Sequence, residues 1–249
     1  IGCRSSARIG IGIWGEALER TVALLGDRGC SVELSGFDDP SDLSSELSRN
    51  RLDGGVRGML SSSEMIESVK SDFSIDIVMR TALLASSEDK TFMLAPVGID
   101  EGRTKSERLD LVRTTIAYFR SAGWHPTIGV LSGGRPEDAL RGEKISRSLQ
   151  DGRDIADELT DEGFEAKHYH ILVEKAVKES DFVVAPDGVA GNLMFRTLHF
   201  LGSGRAFGAP VVNLPAVLVD TSRAKTDFVE SVILAAGLAE VGCGAERDA

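Results

Sequence analysis

The sequence predicts an α/β protein with a parallel or mixed β-sheet that is covered by helices on both faces. Short apolar segments rich in Val, Ile and Ala alternate with amphipathic stretches along the whole chain. Gly or Pro bounds most of the apolar segments, as is typical of buried strands joined by helical crossovers. The chain has 249 residues, which is enough to bury one large core or two smaller ones.

Each strand is predicted where a β-branched or otherwise apolar run ends at a turn residue. In chain order the predicted strands are residues 8–13, 31–34, 91–97, 127–131, 164–169, 182–185 and 210–219.

Each helix is predicted where apolar residues recur every three or four positions. In chain order these are residues 16–25, 62–70, 77–86, 105–122, 145–161, 171–179, 192–201 and 226–239, with a surface turn and short helix within 38–50.

Two Gly-rich stretches, 98–104 and 202–208, are predicted to connect two lobes. Residues 1–103 together with 209–249 are expected to form the first lobe, and residues 104–208 the second. In two-lobed α/β proteins a ligand usually binds in the cleft between the lobes, near the carboxyl ends of strands. We expect a cleft of that kind here.

The overall charge excludes nucleic acid as the main partner, because the net charge is -11 and phosphate backbones need a surplus of Lys and Arg. An anionic ligand therefore requires a local cation such as Arg223 or Arg80. Three scattered cysteines and the lack of an apolar run long enough for a membrane span predict a cytoplasmic protein. His168 and His170 are not spaced as metal ligands normally are, so no metal is expected.

Gly10, Gly12 and Gly15 form a GxGxxG pattern between a short strand and a helix, with Glu33 near the end of the next strand. This outline is typical of a dinucleotide-binding unit, in which the acidic residue binds a ribose hydroxyl. A Gly-rich turn that serves packing alone gives the same short pattern, and both interpretations remain open.

Two hydroxyl-rich turns are candidates for anion binding. Ser61, Ser62 and Ser63 precede a predicted helix, where hydroxyls and free amides either cap the helix or hold an anion. Ser132 is followed by two glycines and Arg135 at the end of a predicted strand. The alternative for that turn is a flexible crossover with a solvated arginine.

Asp187, Gly191 and Asn192 lie in a turn that follows the predicted strand 182–185. Asn192 is expected to cap the next helix, and the glycines to permit positive φ or close ligand contact.

Asp220, Ser222 and Arg223 follow the last predicted strand, and Asp227 opens the last predicted helix. A hydroxyl beside a guanidinium makes a phosphate clamp. Asp227 is a candidate base, or an acid that only favours the helix N-terminus.

These motifs resemble those of the phosphate acetyl/butyryltransferase superfamily, which has the two-lobed, three-layer fold of isocitrate and isopropylmalate dehydrogenases. The superfamily's Pro-Asp-x-x-x-Gly-Asn turn recurs at 186–192, and its Asp-x-Ser-Arg motif at 220–223. Its Ser-rich turn is similar to 61–64, and its arginine at the head of the next helix best matches Arg80. The chain's shortness, its Gly-rich start and the segment 56–63 are closer still to the archaeal MtxX family, which is labelled a methyltransferase subunit X and is tied to methanogenesis.

The resemblance implies that Ser222 and Arg223 contact a phosphoryl group and that Asp227 deprotonates the thiol of coenzyme A. Asp227 is closer to Arg223 than in the superfamily's pattern, so Asp220 is the alternative base. The implied partners are phosphate, an acyl phosphate or a coenzyme A thioester, with coenzyme A as a substrate, together with methyltransferase subunits and a second copy of the chain in a homodimer. A non-catalytic, anion-sensing subunit and a nucleotide-dependent oxidoreductase are the alternative functions.

Overall fold

The computed structural model describes residues 6–222, 225 and 227–244. The predicted α/β class is confirmed, because strands and helices alternate along the chain. The strands are β1 (Arg8–Ile11), β2 (Glu33–Gly36), β3 (Gly54–Val56), β4 (Ala82–Ala85), β5 (Thr91–Ala95), β6 (Ile128–Leu131), β7 (Ala166–His170), β8 (Phe182–Val184), β9 (Arg205–Pro210) and β10 (Leu218–Asp220). The helices are α1 (Gly15–Asp27), α2 (Pro40–Ser48), α3 (Ser62–Phe73), α4 (Lys105–Tyr118), α5 (Glu143–Asp161), α6 (Val173–Glu179), α7 (Gly188–Phe200) and α8 (Val229–Glu240).

The chain divides into two compact units. Unit 1 comprises Ile1–Val78, Tyr118–Gly123 and Phe207–Ala249, and unit 2 comprises Met79–Ala117 and Trp124–Ala206. The boundary predicted at residue 103 differs from the observed one, which lies between Val78 and Met79. The reason is that β5 pairs with β8 of unit 2, and β4 pairs with β5.

The sheet of unit 1 has the strand order β2-β1-β3-β10-β9. The first four strands are parallel, and β9 is antiparallel to β10. Helices cover both faces. The Cβ position of Gly54 faces Ala235 of α8, while that of Gly55 faces Leu47 of α2, and adjacent residues of a strand point to opposite faces.

The sheet of unit 2 has the strand order β4-β5-β8-β6-β7. It is parallel except for β4, which runs antiparallel to β5. Helix α5 packs on β6 and β7, and α7 packs on β5. Phe182, Ile128 and Leu94 are almost fully buried in its core.

Two element predictions were wrong. Residues 77–86 are not a helix, because Ala82–Ala85 form β4 beside β5, and a short apolar run does not distinguish the two structures. Residues 210–219 are not one strand, because the chain turns back between β9 and β10 and Val211 N donates to Leu218 O at 2.8 Å. Pro215 lies inside that turn, where its missing N–H costs no ladder hydrogen bond.

The helices in the described part of the chain are all too short or too polar to span a lipid bilayer.

Candidate functional site

The carboxyl ends of β1, β3 and β10 lie side by side at one edge of the unit 1 sheet, because these three strands are parallel neighbours. The segments that leave this edge carry Gly12, Arg57–Ser63 and Asp220–Ser222. Most of the predicted unit 1 site therefore gathers at this edge, as the carboxyl ends of parallel strands usually allow.

Arg57 organises this edge, and the sequence analysis missed it. Its side chain is only 6% exposed and forms an ion pair with Asp220 through Nε. Its Nη1 donates to Leu60 O at 2.6 Å, and its backbone N donates to Val219 O at 3.0 Å. A buried guanidinium in this position ties the loop after β3 to the end of β10.

Gly58 and Thr221 also join the loop after β3 to the segment after β10. Thr221 Oγ1 donates to Gly58 O at 3.0 Å. Gly58 has a φ of +61°, and a Cβ there would lie 2.4 Å from Gly12 O. Glycine is therefore required at this crossing of backbones.

At Gly10 and Gly12 of the GxGxxG pattern, protein atoms fill the space that a side chain would take, whereas Gly15 has open space at its Cβ position and a φ of +56°. A Cβ on Gly10 would lie 2.6 Å from Leu43, and one on Gly12 would lie 2.1 Å from Arg57 O. Glu33 begins β2 rather than ending it, so the expected placement for a ribose is wrong. These contacts support the interpretation as a packing turn.

Ser61, Ser62 and Ser63 lie where the loop after β3 enters α3. The expected cap does not form, since Ser61 Oγ hydrogen-bonds Ser63 Oγ at 3.2 Å instead of a first-turn amide. Hydroxyls and first-turn amides at a helix N-terminus are suited to holding an anion.

Ser222 and Asp227 flank the segment in which Arg223 lies, and Arg223 itself is outside the described residues. Ser222 O accepts a hydrogen bond from Lys225 N at 3.0 Å. The last helix starts at Val229 rather than 226, and Asp227 Oδ1 accepts from Val229 N at 2.8 Å. This contact agrees with the alternative role for Asp227, which is to stabilise the start of the helix.

Lys225 is a second residue that the sequence analysis missed. It is half-buried, and its Nζ donates to Ser231 Oγ at 2.9 Å. Burial lowers the pKa of Lys225 from 10.5 to about 8, although the Asp227 and Glu230 carboxylates act in the opposite direction. A lone lysine in a polar loop gives no sequence signal for such an environment.

Arg80 lies at the carboxyl edge of the unit 2 sheet. It precedes β4, so the expectation that it heads a helix is wrong. Its Nε donates to Glu101 Oε1 at 2.7 Å, and its Nη2 is 3.7 Å from Asp100 Oδ1. Burial raises the pKa of Glu101, and the Arg80 cation opposes that rise.

The Asp187–Asn192 turn is tightly packed against the loop that follows β5. Asp187 caps α7 by accepting from Ala190 N at 2.7 Å. The expectation that Asn192 is the cap is therefore wrong, and its Nδ2 instead donates to Val97 O at 2.9 Å. A Cβ on Gly191 would lie 1.9 Å from Pro96 O. Gly191 thus allows α7 to pack closely on the backbone of Pro96, and it does so without a positive φ.

Ser132 is buried at the end of β6, and its Oγ lies 2.9 Å from Nε2 of His168 on β7. Burial, with His170 and Arg153 nearby, lowers the pKa of His168 to about 4. Arg135 is exposed, and its backbone N donates to Asp138 Oδ2 at 2.8 Å. The loop is thus held by side chains, while the arginine is in solvent.

The predicted residues form two groups, each at the carboxyl edge of its own sheet. The unit 1 group contains Ser61, Ser62, Ser63, Asp220, Ser222 and Asp227. The unit 2 group contains Arg80, Ser132, Arg135, Asp187, Gly191 and Asn192. Among the residues that the structure describes, no three His, Cys, Asp or Glu side chains are arranged to hold a metal ion.

Comparison with known proteins identifies the family. No protein-family model matches the chain. A protein of Methanosarcina acetivorans, named "Putative methyltransferase mtx subunit X", is 42% identical over 224 residues, covering 87% of this chain and 80% of the relative.

Solved structures share the fold at low sequence identity. A branched-chain phosphotransacylase from Enterococcus faecalis has a TM-score of 0.68 at 15% identity, covering 94% of this chain and 99% of that one. A phosphotransacetylase from Streptococcus pyogenes has a TM-score of 0.64 at 14% identity, covering 96% and 95%. The chain therefore has the phosphotransacetylase-like fold and belongs to the MtxX family of the methyltransferase mtx subunit X proteins.

Proposed function

We propose that this protein is a transferase of the phosphate acyltransferase type that binds a phosphate-bearing or coenzyme A-bearing substrate. The names of its relatives and its fold support a transferase-like role at the level of the family. The observation that carries the proposal is the Arg57 ion pair with Asp220, which fixes the segment before Ser222 beside the loop that leads to Ser61.

In this proposal Ser222 and Arg223 hold the phosphoryl group of an acyl phosphate. Ser61, Ser62 and Ser63 add hydroxyls and the free amides of α3. Fixed donors of this kind stabilise charge as it develops on the phosphoryl oxygens, and they orient the acyl carbon for attack by a thiol.

The test is formation of a thioester from acetyl phosphate and coenzyme A, together with thermal protection by phosphate. Arg223→Ala is expected to abolish both, whereas Arg147→Ala, which changes an exposed arginine of α5, is expected to alter neither. Retained binding and turnover in the Arg223 variant would refute the assignment.

A non-catalytic subunit is the second candidate. It is favoured by the carboxylates of Asp220 and Asp227, both of which already accept structural hydrogen bonds. A stable complex with a methyltransferase in cell extract, combined with no thioester formation by the isolated protein, is the result that this function predicts.

A further inference from the structure

Lys225 lies in the loop between Ser222 and Asp227, and its amine is hydrogen-bonded to a buried hydroxyl. Its Nζ donates to Ser231 Oγ at 2.9 Å, and Ser231 Oγ in turn donates to Phe207 O at 2.5 Å. Ser231 is fully buried on α8. The amine is therefore held against α8, while the backbone N of the same residue donates to the O of Ser222, a residue of the proposed phosphoryl site, at 3.0 Å.

The hydrogen-bond directions leave the amine able to accept a proton. A serine hydroxyl has one hydrogen, and that of Ser231 points to the carbonyl of Phe207. Ser231 Oγ can then only accept from Lys225. A neutral amine can supply the N–H of that bond, so the contact with Ser231 does not require the charged form of Lys225.

The two carboxylates predicted as the base are both engaged. Asp220 Oδ1 accepts from Arg57 Nε and from Thr221 N. Asp227 Oδ1 accepts from Val229 N at the start of α8. Both carboxylates therefore already have structural roles in the loop that contains Ser222.

We propose that Lys225 is the proton acceptor for the attacking thiol, an inference that rests on the proposed acyl transfer. Its neutral amine takes the proton of the acceptor S–H, which leaves an ammonium ion and a thiolate. The thiolate sulfur forms a bond to the acyl carbon as the bond from that carbon to the phosphate oxygen breaks. Phosphate leaves with the bonding electron pair, and the ammonium returns its proton to phosphate or water.

The electrostatic surroundings fit this role. Among the residues that the structure describes, the carboxylates that act on Lys225 are those of Asp227 and Glu230, and Glu230 also pairs with Arg28 at the end of α1. Burial outweighs these carboxylates and brings the pKa of Lys225 to about 8. A base with a pKa near the working pH is the most effective general base. Compared with an amine of pKa 10.5, the neutral fraction at pH 7 is roughly 300-fold larger.

The first experiment needs no substrate. Trace acetylation with acetic anhydride from pH 6.5 to 10.5, read by peptide mass spectrometry, gives the titration midpoint of each lysine. Lys225 is expected to titrate near pH 8, and Lys144, an exposed lysine of α5, is the reference. A Lys225 midpoint that coincides with that of Lys144 overturns the proposal and leaves the phosphoryl site standing.

The second experiment compares Lys225→Arg with Lys225→Met in the thioester assay. Arginine keeps the charge but does not lose its proton in this pH range. We expect both variants to lose roughly 10²–10⁴-fold in kcat, to retain thermal protection by phosphate, and to lose the wild-type rise in rate near pH 8. Unchanged turnover in Lys225→Arg overturns the role of Lys225 alone. No turnover by the wild-type protein overturns the acyl transfer and this inference together.

Discussion

At Gly12, Gly58, Gly188 and Gly191 the missing side chain makes room for a backbone oxygen of the protein itself. At Gly188 and Gly191 the sequence led us to expect positive φ or close ligand contact, and the close contact that the structure shows is with protein backbone. The sequence could not show whether the approaching atom belongs to a ligand or to the protein, because a local pattern does not identify its partner in space. Arg57 was missed for the same reason, because its partner Asp220 lies far along the chain.

Gly191→Ala tests the packing interpretation. The added Cβ would lie 1.9 Å from Pro96 O, and because backbone cannot move aside cheaply we expect a loss of about 1–3 kcal/mol or more in the free energy of unfolding. Gly26→Ala is the matched control, since no atom lies within 4 Å of its Cβ position in α1. The control is expected to be neutral or slightly stabilising. Equal urea midpoints for the two variants would contradict this account.

Arg57→Met tests the buried ion pair. Removing Arg57 takes a buried cation away from the partly buried Asp220 carboxylate, so we expect the free energy of unfolding to fall by about 3–5 kcal/mol. Arg8→Met removes an exposed pair with Asp53 and is expected to leave the urea midpoint unchanged. A similar small effect of both substitutions would show that Arg57 does not hold the two loops.

At the scale of elements, apolar periodicity located most helices, β1 in unit 1, and the central strands β5, β8 and β6 of the unit 2 sheet. It missed β3, because Gly54-Gly55-Val56 has almost no side-chain pattern, and it misassigned β4, because pairing with β5 decided an ambiguous apolar run. It also merged β9 and β10, whose turn brings Asp220 beside Arg57. The elements that sequence reasoning lost are thus mostly those that build the unit 1 site.

The free energy of unfolding is expected to depend on pH through His168, which lies on β7 and contacts Ser132 at the end of β6. The pKa of His168 is lowered from 6.5 to about 4, so the unfolded chain binds more protons than the folded one between these values. Stability is therefore fully present above pH 6.5 and is lost as the pH falls towards 4, with a slope of at most about 1.4 kcal/mol per pH unit from this residue.

His168→Gln is expected to remove this part of the acid dependence, as measured by urea unfolding at pH 7, 5.5 and 4.5. His125→Gln, at an exposed position, serves as the control and is expected to retain it. An unchanged difference in unfolding free energy between pH 7 and 4.5 in His168→Gln would show that His168 does not carry the effect.

At the scale of the whole molecule, the α/β class and the family resemblance followed from the sequence, since motifs such as Asp-x-Ser-Arg are local. The assignment of segments to units did not, because it depends on which strands pair across long separations. The net charge of -11 also acts at this scale. Like charges repel throughout the folded chain, and any anionic ligand approaches against that field.

The repulsion within the chain and the binding of an anionic ligand can be separated by experiment. Raising NaCl from about 10 to 150 mM shortens the screening length from about 30 to 8 Å, so we expect Tm to rise in the wild type and in Arg223→Ala alike. Adding a few mM phosphate at constant ionic strength adds no screening, and ligand binding to the folded state raises Tm only where a site exists. The phosphate increment is therefore expected in the wild type and not in Arg223→Ala. An equal increment in both proteins would place phosphate binding away from Arg223, while an increment in neither would leave screening as the only effect of anions on this acidic chain.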